Sequence, residues 1–204
     1  MTTRLILVSH APTSALRTAS FPGDEPLDPP VISLPEVTAE IEKMGSWDHA
    51  LTGPERRAAE TAVALQLGAS FVVDSALRDC DYGRWTGRRL DDVEVEESDA
   101  IAAWITKPEA NPHGGESVLD LLKRVALWLD ERGGIGGRVL AVSHPAVVRA
   151  AIIHAIEASP HTFWRINVEP LSLIDLRGNK GRWTLRSLVQ LQDRRAIGHP
   201  PSRC

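Results

Sequence analysis

The stretch RLILVSHAPTSALR, residues 4 to 17, decides the fold of this chain, because a short apolar run ends there in a histidine and a loop. The four apolar residues Leu5 to Val8 are too few for a helix and fit a strand that is covered on both faces. In open α/β sheets the ligand crevice lies beyond the carboxyl ends of the strands. The stretch therefore predicts that a buried strand places His10 at a functional edge of the sheet.

A second apolar run ends in the same way. Residues 139 to 144 read VLAVSH, and Pro145 opens a stretch with helical character. A single histidine after a strand is more often a plain loop residue than a catalyst, but two in matching surroundings indicate one shared site. We therefore expect His10 and His144 to lie together.

Length and composition exclude several classes of protein. With 204 residues, 43% of them hydrophobic, the chain suits one domain with a substantial core. The formal net charge of −4 gives no basic excess of the kind that nucleic-acid binding requires. No apolar run approaches membrane-spanning length and no signal peptide precedes the first strand, which favours a cytosolic protein. Cys80 and Cys204 have no metal-type spacing and are expected to be free thiols.

Predicted strands and helices alternate through the first half of the chain. In order they are a loop with five prolines at 11–30, a helix from the capping box Ser33–Glu36 to Gly45, a strand at 50–51, a helix from the capping box Thr52–Glu55 to near Gly68, and a strand at 70–73.

The second half continues the alternation and ends in a hairpin. In order the predicted elements are a loop at 77–87, a short helix at 101–105, an amphipathic helix capped by Ser117 that buries Val118, Leu121, Leu122, Val125 and Leu129, a glycine-rich linker at 133–137, a helix at 145–158, strands at 163–168, 171–176 and 182–188, and a turn at 178–181. This pattern predicts an α/β three-layer sandwich with a mostly parallel central sheet flanked by helices. The tail at 191–204 is polar and is expected to be flexible.

Five short motifs follow one another along the chain. They are Leu7–Ala11 (LVSHA), Arg57–Ala62 (RAAETA), Leu77–Gly87 (LRDCDYGRWTG), Gly114–Ser117 (GGES) and Val142–His144 (VSH). In this order they resemble the motifs of the histidine phosphatase superfamily. The resemblance implies one phosphoglycerate mutase-like domain over residues 1–190.

The resemblance also implies a site that holds a phosphomonoester dianion. His10 falls on the nucleophile, and Arg57 would grip phosphate oxygens with its planar guanidinium. His144 would stabilise the charge that develops on the phosphoryl group. Asp79 falls on the position of the proton donor, with Asp81 as the alternative acid.

Ser9 departs from the family pattern, because relatives carry arginine at its position. A serine hydroxyl offers one neutral donor, whereas arginine offers a permanent charge and a bidentate fork. Arg17, in the loop that follows His10, is the nearest replacement, and an ordinary surface arginine is the alternative reading. We assign Ser9 and Arg17 to substrate binding on this basis.

Residues near the expected pocket rim give further expectations. Glu116 is assigned to substrate binding, with a helix-start carboxylate as the alternative, whereas His113 is expected to be an exposed loop residue. Trp85 is the tryptophan that could contribute to an aromatic pocket. Core packing is expected for the tryptophans in helical or strand settings, Trp47, Trp104, Trp128 and Trp183.

The expected function is a metal-independent phosphatase that hydrolyses a small phosphomonoester through a phosphohistidine. The seven histidines show neither HExxH nor His-x-His spacing, so no metal or other cofactor is predicted. Two alternatives stay open: a weakened or silent relative that binds phosphorylated ligands, and a mutase-type phosphotransferase, which the lack of large insertions disfavours. Neither nucleic acid nor membrane is an expected partner, and the C-terminal hairpin offers an edge for a homodimer.

Overall fold

The computed structural model describes residues 1–31, 33–67 and 70–190. The predicted helix end at Gly68, the tail at 191–204 and Cys204 lie outside these residues. Within the described ranges, no helix combines the length and the apolar composition that crossing a bilayer demands.

A mixed sheet forms the centre of the described fold. Its strands are β1 (Thr2–Ser9), β2 (His49–Thr52), β3 (Val72–Val73), β4 (Gly137–Ser143), β5 (Ser172–Asn179) and β6 (Arg182–Gln190). The strand order is β3-β2-β4-β1-β5-β6, in which the first four strands run parallel, β5 runs antiparallel to β1, and β6 runs antiparallel to β5. The predicted mostly parallel sheet with a C-terminal hairpin is therefore confirmed.

Helices cover both faces of this sheet. They are α1 (Ser14–Arg17), α2 (Pro35–Lys43), α3 (Arg56–Ala64), α4 (Leu90–Glu96), α5 (Ser98–Thr106), α6 (Val118–Gly133) and α7 (Pro145–Ala155), with 3₁₀ helices at Ser75–Leu77, Gly83–Trp85 and Pro160–Arg165.

The central strand β1 is anchored from both sides. Successive strand residues face opposite sides of a sheet, so Leu5 and Leu7 pack among residues of α6 and α7 while Ile6 and Val8 pack among those of α2 and α3. All four side chains are completely buried. Each such burial contributes roughly 1.5–3 kcal/mol, which makes β1 a firm support for the residues that follow it.

Both predicted capping boxes are wrong, although the two helices exist. The first helix begins at Pro35 rather than behind a Ser33 cap, and no side chain caps it. Proline suits the first turn because its missing N–H has no partner there anyway. Thr52 belongs to β2, so it cannot turn to cap α3, which begins at Arg56 without a side-chain cap.

Other elements differ in extent or type. The predicted strand at 163–168 is wrong, because Pro160–Arg165 is a 3₁₀ helix whose first turn the Ser159 hydroxyl caps by accepting from the N–H of His161. The strand predicted at 70–73 is reduced to Val72–Val73. The short helix predicted at 101–105 is α5, with α4 before it.

The amphipathic helix α6 is confirmed in detail. The Ser117 hydroxyl accepts a hydrogen bond from the N–H of Asp120, and the five predicted apolar residues are all buried. Core packing is likewise confirmed for Trp104, Trp128 and Trp183, whereas Trp47 is only partly buried.

Trp85 does not line the cavity beside the two histidines described below. It is completely buried and packs in a hydrophobic cluster with Phe21, Val93, Ile101 and Trp104. This cluster fixes the loops around the candidate site.

Candidate active site

The ends of β1 and β4 bring the two predicted histidines together. The strands are parallel neighbours in which Ser9 lies opposite Ser143. His10 and His144 follow directly, and their ring centroids are 5.3 Å apart. The N–H of His10 donates to the carbonyl of Ser143 at 2.9 Å, which ties the two strand ends to each other.

His10 is held as a neutral ring with a defined tautomer. Its Nδ1 lies 2.7 Å from the carbonyl oxygen of Ala11. A carbonyl only accepts, so Nδ1 carries the proton and Nε2 keeps its lone pair. Burial, aided by the charges of His144 and Arg57, lowers the pKa of His10 from 6.5 to about 3. The ring is thus uncharged near neutral pH, with its one proton on Nδ1.

Arg57 supplies a buried guanidinium beside His10. It stands in the first turn of α3 with 1% of its surface exposed. One terminal nitrogen, Nη2, lies 2.6 Å from Oδ2 of Asp79, and the other bonds the carbonyl of Gly23. Its Nε is buried without a partner among the described residues, so one donor of the fork remains unused.

Asp79 lies against both Arg57 and His144. Its Oδ2 is 3.6 Å from Nδ1 of His144 as well as close to Arg57, and its Oδ1 accepts from the N–H of Cys80 at 2.8 Å. Burial alone raises the pKa of Asp79, but the charges of His144 and Arg57 outweigh it and hold that pKa below its usual value. The carboxyl group is therefore ionised in the unliganded site.

The alternative acid, Asp81, lies elsewhere. It is exposed, and its Oδ1 accepts from the N–H of Gly83 at 2.8 Å, as a turn residue does. The structure thus brings Asp79, rather than Asp81, to the two histidines.

Glu55 is a site residue that the sequence reasoning missed. Its Oε2 lies 2.7 Å from Nε2 of His144, and its Oε1 accepts from the backbone N–H of Asp79 at 3.0 Å. Burial raises the pKa of Glu55, but the hydrogen bond and charge of His144 outweigh burial and hold that pKa below its usual value. The carboxylate is therefore ionised. Its position at a helix start suggested only a capping role, and no spacing pointed to His144.

A cavity of about 320 Å³ opens beside this cluster. Its lining includes His10, Thr13, Ala15, Leu16, Ser20, Pro22, Asp79, Tyr82, Pro145, Ala146, Arg149, Asn167, Val168, Glu169 and Pro170. Arg149 was also missed, although its place four residues after Pro145 sets both on one face of α7.

Ser9 and Arg17 are not among the residues that line this cavity. Ser9 is completely buried, and its Oγ has no partner among the described residues. The side chain of Arg17 is 54% exposed, pairs with the carboxylate of Asp28 and donates to its carbonyl at 3.1 Å. The described structure therefore places Arg17 at the surface, paired with Asp28, and not in the wall of this cavity.

Glu116 pairs with an arginine, and the expectation for His113 was wrong. Both carboxylate oxygens of Glu116 accept from Arg124, at 2.8 and 2.7 Å. Arg124 in turn donates to the carbonyl of Asp79 at 3.2 Å, so the pair braces the loop that carries Asp79. His113, expected to be exposed, is 2% exposed and stacks on Trp85 with ring centroids 4.9 Å apart.

Cys80 is a buried free thiol, as expected. Burial raises its pKa far above the usual range, so the thiol stays protonated and inert. In the described part of the chain, no three His, Cys, Asp or Glu side chains are grouped to hold a metal ion.

Fold and site together define an α/β sandwich protein with a two-histidine centre at the carboxyl edge of its sheet. The family model of the histidine phosphatase superfamily (branch 1) matches residues 5–190, and the chain belongs to this family.

Three known proteins show how far the likeness extends. The Bifunctional protein Rv2228c of Mycobacterium tuberculosis is 29% identical over 180 residues, which cover 84% of this chain and 49% of that protein. This chain thus spans about half the length of that relative. Putative phosphoserine phosphatase 2 of Hydrogenobacter thermophilus is 25% identical, with 92% of this chain and 96% of that protein covered. The phosphoserine phosphatase of Entamoeba histolytica, solved in complex with 3-phosphoglyceric acid, shares the fold with a TM-score of 0.79 at 21% identity, over 93% of this chain and 98% of that chain.

Proposed function

We propose that this chain is a phosphatase that hydrolyses a small phosphomonoester through a phosphohistidine on His10, without a metal ion. One observation carries the proposal: the bond from Nδ1 of His10 to Ala11 leaves an unprotonated Nε2 in a ring that lines the cavity. Membership of the histidine phosphatase superfamily supports it, as does the name of the phosphoserine phosphatase relative.

Substrate binding begins with an exchange of partners at Arg57. The phosphate dianion competes with Asp79 for the terminal nitrogens of Arg57, whose buried Nε offers a further donor. His144, when protonated, and the amino end of α7 add positive charge at the same place. The hydrogen bond that Nε2 of His144 donates to Glu55 orients the ring for this contact.

In the first chemical step, Nε2 of His10 attacks phosphorus and the phosphorus–oxygen ester bond breaks. The leaving oxygen keeps the electron pair and takes a proton from Asp79. Asp79 is ionised in the unliganded site. When Arg57 pairs with the phosphate instead of Asp79, and the negative phosphate lies beside Asp79, the pKa of Asp79 rises. Asp79 therefore takes up a proton from solvent as substrate binds and becomes the acid that the step requires.

In the second step, water attacks the phosphohistidine. The phosphorus–nitrogen bond breaks, and Nε2 of His10 recovers its electron pair. The Asp79 carboxylate accepts the proton that the water loses, and inorganic phosphate leaves. Asp79 is then protonated, as it was before the first step, and it releases that proton to solvent when phosphate leaves and Arg57 pairs with it again.

Hydrolysis of p-nitrophenyl phosphate in the presence of excess chelator tests the proposal. We expect turnover that survives chelation, disappears in His10→Ala and persists in His161→Ala, which removes an exposed histidine. Rapid quenching followed by mass spectrometry is expected to show one acid-labile phosphoryl group on His10. Turnover by His10→Ala above a few per cent of the wild-type rate would exclude the covalent route.

A second candidate is a silent relative that binds phosphorylated ligands, which the lack of an arginine at Ser9 favours. It predicts that orthovanadate binds in calorimetry while the wild type shows no turnover on any phosphomonoester. The cytosolic location and the homodimer through the C-terminal hairpin stay predictions, for cell fractionation and analytical ultracentrifugation to test.

A further inference from the structure

We propose that Arg149 forms a second-anion subsite in the cavity, which binds a carboxylate or second phosphate of the substrate. The substrate would then be a small phosphomonoester that carries another negative group. The inference rests on the proposed function, because it names the substrate class of the same cavity.

The position of Arg149 on α7 aims it along the cavity wall. Pro145 and Ala146, four and three residues earlier, line the same cavity, so Arg149 shares their helix face. Side chains on a helix lean toward its amino end, which here is the His144 end. Arg149 thus stands one helical turn behind the phosphate-binding cluster.

The guanidinium of Arg149 is anchored on one side only. Its Nε donates to the carbonyl of Ile166 at 2.8 Å, and its central carbon lies 5.6 Å from the ring centroid of Phe163. Among the described residues it has no carboxylate partner. The two terminal nitrogens therefore remain for a ligand.

Two other arginines with little exposed surface are neutralised by carboxylates. Arg57 pairs with Asp79 at 2.6 Å, and Arg132 pairs with Asp74 at the same distance. Arg149 is half-buried without such a pair, and burial lowers its pKa. A cation that has lost part of its hydration without gaining a counter-ion is costly, and an anionic ligand removes that cost.

Arg149 is separate from the group that acts on the reacting phosphate. The charges that dominate at His10 are those of His144, Arg57 and Asp79. Arg149, in contrast, makes no hydrogen bond or ion pair with these three residues within the described part of the chain. We therefore place its ligand at the far end of the substrate rather than at phosphorus.

The rest of the cavity suits a short polar molecule. Its volume of about 320 Å³ is small for a ligand pocket. Glu169 also lines it, and its carboxylate contacts the Asn167 amide only weakly, at 3.4 Å. A hydroxyl or ammonium group beside the substrate's second anion would find an acceptor in Glu169. Phosphorylated hydroxy acids and amino acids have this arrangement.

Matched substrate pairs test the subsite. The wild-type kcat/KM is compared for 3-phosphoglycerate and glycerol 1-phosphate, which exchange a carboxylate for a hydroxymethyl group, and for O-phosphoserine and O-phosphoethanolamine. A third pair, propane-1,3-diol bisphosphate and its monophosphate, tests a second phosphate. We expect one pair at least to favour the doubly anionic member about 10- to 100-fold. Ratios near one in all three pairs would overturn the proposal, whether or not any variant folds.

Arg149→Met assigns the preference to this side chain. We expect the ratio to fall to near one in Arg149→Met and to be unchanged in Arg165→Met, which removes an exposed arginine. Thermal unfolding of both variants reports their folding. A preference that survives in folded Arg149→Met would also overturn the proposal.

Equilibrium binding separates this inference from the proposed function. Calorimetry with the His10→Ala protein compares Kd for the same pairs without any turnover. A wild type that hydrolyses nothing would refute the phosphatase proposal, yet a Kd preference for the doubly anionic member that Arg149→Met removes would still support the subsite. Equal Kd values within each pair would count against it.

Discussion

The carboxylate of Glu55 joins two site residues that are far apart in the sequence, with Oε2 at 2.7 Å from Nε2 of His144 and Oε1 at 3.0 Å from the backbone nitrogen of Asp79. The contact requires Nε2 of His144 to carry a proton. The other ring nitrogen, Nδ1, is buried without a hydrogen-bond partner among the described residues. Glu55 therefore orients the ring that would meet the phosphate.

Replacing Glu55 tests this relationship. Glu55→Gln keeps the size of the side chain but removes its charge, and a hydrogen bond to a charged group is worth about 1.5–3 kcal/mol. We expect kcat/KM on p-nitrophenyl phosphate to fall about 10- to 100-fold. Glu42→Gln, on the exposed side of α2, is the control. Equal rates in the two variants would show that Glu55 has no part in turnover.

The acid role proposed for Asp79 predicts a dependence on the leaving group. Asp79→Asn is expected to slow alkyl phosphates strongly and p-nitrophenyl phosphate much less, because nitrophenolate leaves without a proton. Asp81→Asn, which removes the exposed rival, is expected to affect both substrates little. If Asp79→Asn lost the same factor on both, its role would be positioning alone.

The structure predicts that replacing Arg17 has only a small effect on kcat/KM, whereas its sequence position predicted a large one. Arg17 and Asp28 pair at the surface, where an exposed pair contributes only about 0–1 kcal/mol. We expect Arg17→Ala and Asp28→Asn to have similar, small effects on kcat/KM. A loss in Arg17→Ala that is more than about tenfold larger than in Asp28→Asn would return Arg17 to the phosphate site.

Gly53 follows directly after β2, at a position with no room for a side chain beside His144. A Cβ at this position would lie 2.8 Å from the carbonyl oxygen of Leu77 and 3.0 Å from Nε2 of His144. We expect Gly53→Ala to lower the free energy of unfolding by about 1–3 kcal/mol and to reduce turnover by displacing His144. Gly134→Ala, where an added Cβ meets nothing within 4 Å, is the control in urea unfolding. Wild-type stability and turnover in Gly53→Ala would contradict the geometry.

The lowered pKa of His10 makes stability depend on pH. Above pH 6.5 the ring is neutral in both the folded and the unfolded chain. Between pH 6.5 and about 3 the unfolded chain binds a proton that the folded chain excludes. The free energy of unfolding therefore decreases as the pH is lowered through this range. Asp79 and Glu55 act in the same direction at lower pH, because their lowered pKa values mean that stability is lost as they protonate.

Urea unfolding of the wild type and of His10→Gln over this pH window measures the effect. We expect the wild-type free energy of unfolding to fall more steeply, since His10→Gln removes the group that excludes the proton. Parallel curves would mean that His10 titrates normally in the folded protein. A ring ¹⁵N spectrum that shows the neutral Nδ1–H form below pH 6.5 is the direct check.

Predictions from local sequence patterns were wrong where contacts between distant segments stabilise a different structure. The run at 163–168 alternates as a strand does, but Pro160 and the Ser159 cap start a 3₁₀ helix whose Phe163 is buried beside Arg149. The capping box at Thr52 failed because pairing with β4 keeps that residue in a strand. Pattern alone cannot weigh these contacts, since they join segments distant in sequence.

The sequence by itself determined the mostly parallel sheet with its C-terminal hairpin and the meeting of His10 with His144, because hydrophobic periodicity and strand ends are local properties that parallel pairing then brings to one edge. Only the tertiary structure decided which charges act there. It paired Arg17 with Asp28 and Glu116 with Arg124, joined Glu55 to His144, and left Arg149 without a counter-ion in the cavity. Charge pairs between remote segments depend on distances of a few ångströms, which the folded chain sets and the residue order does not encode locally.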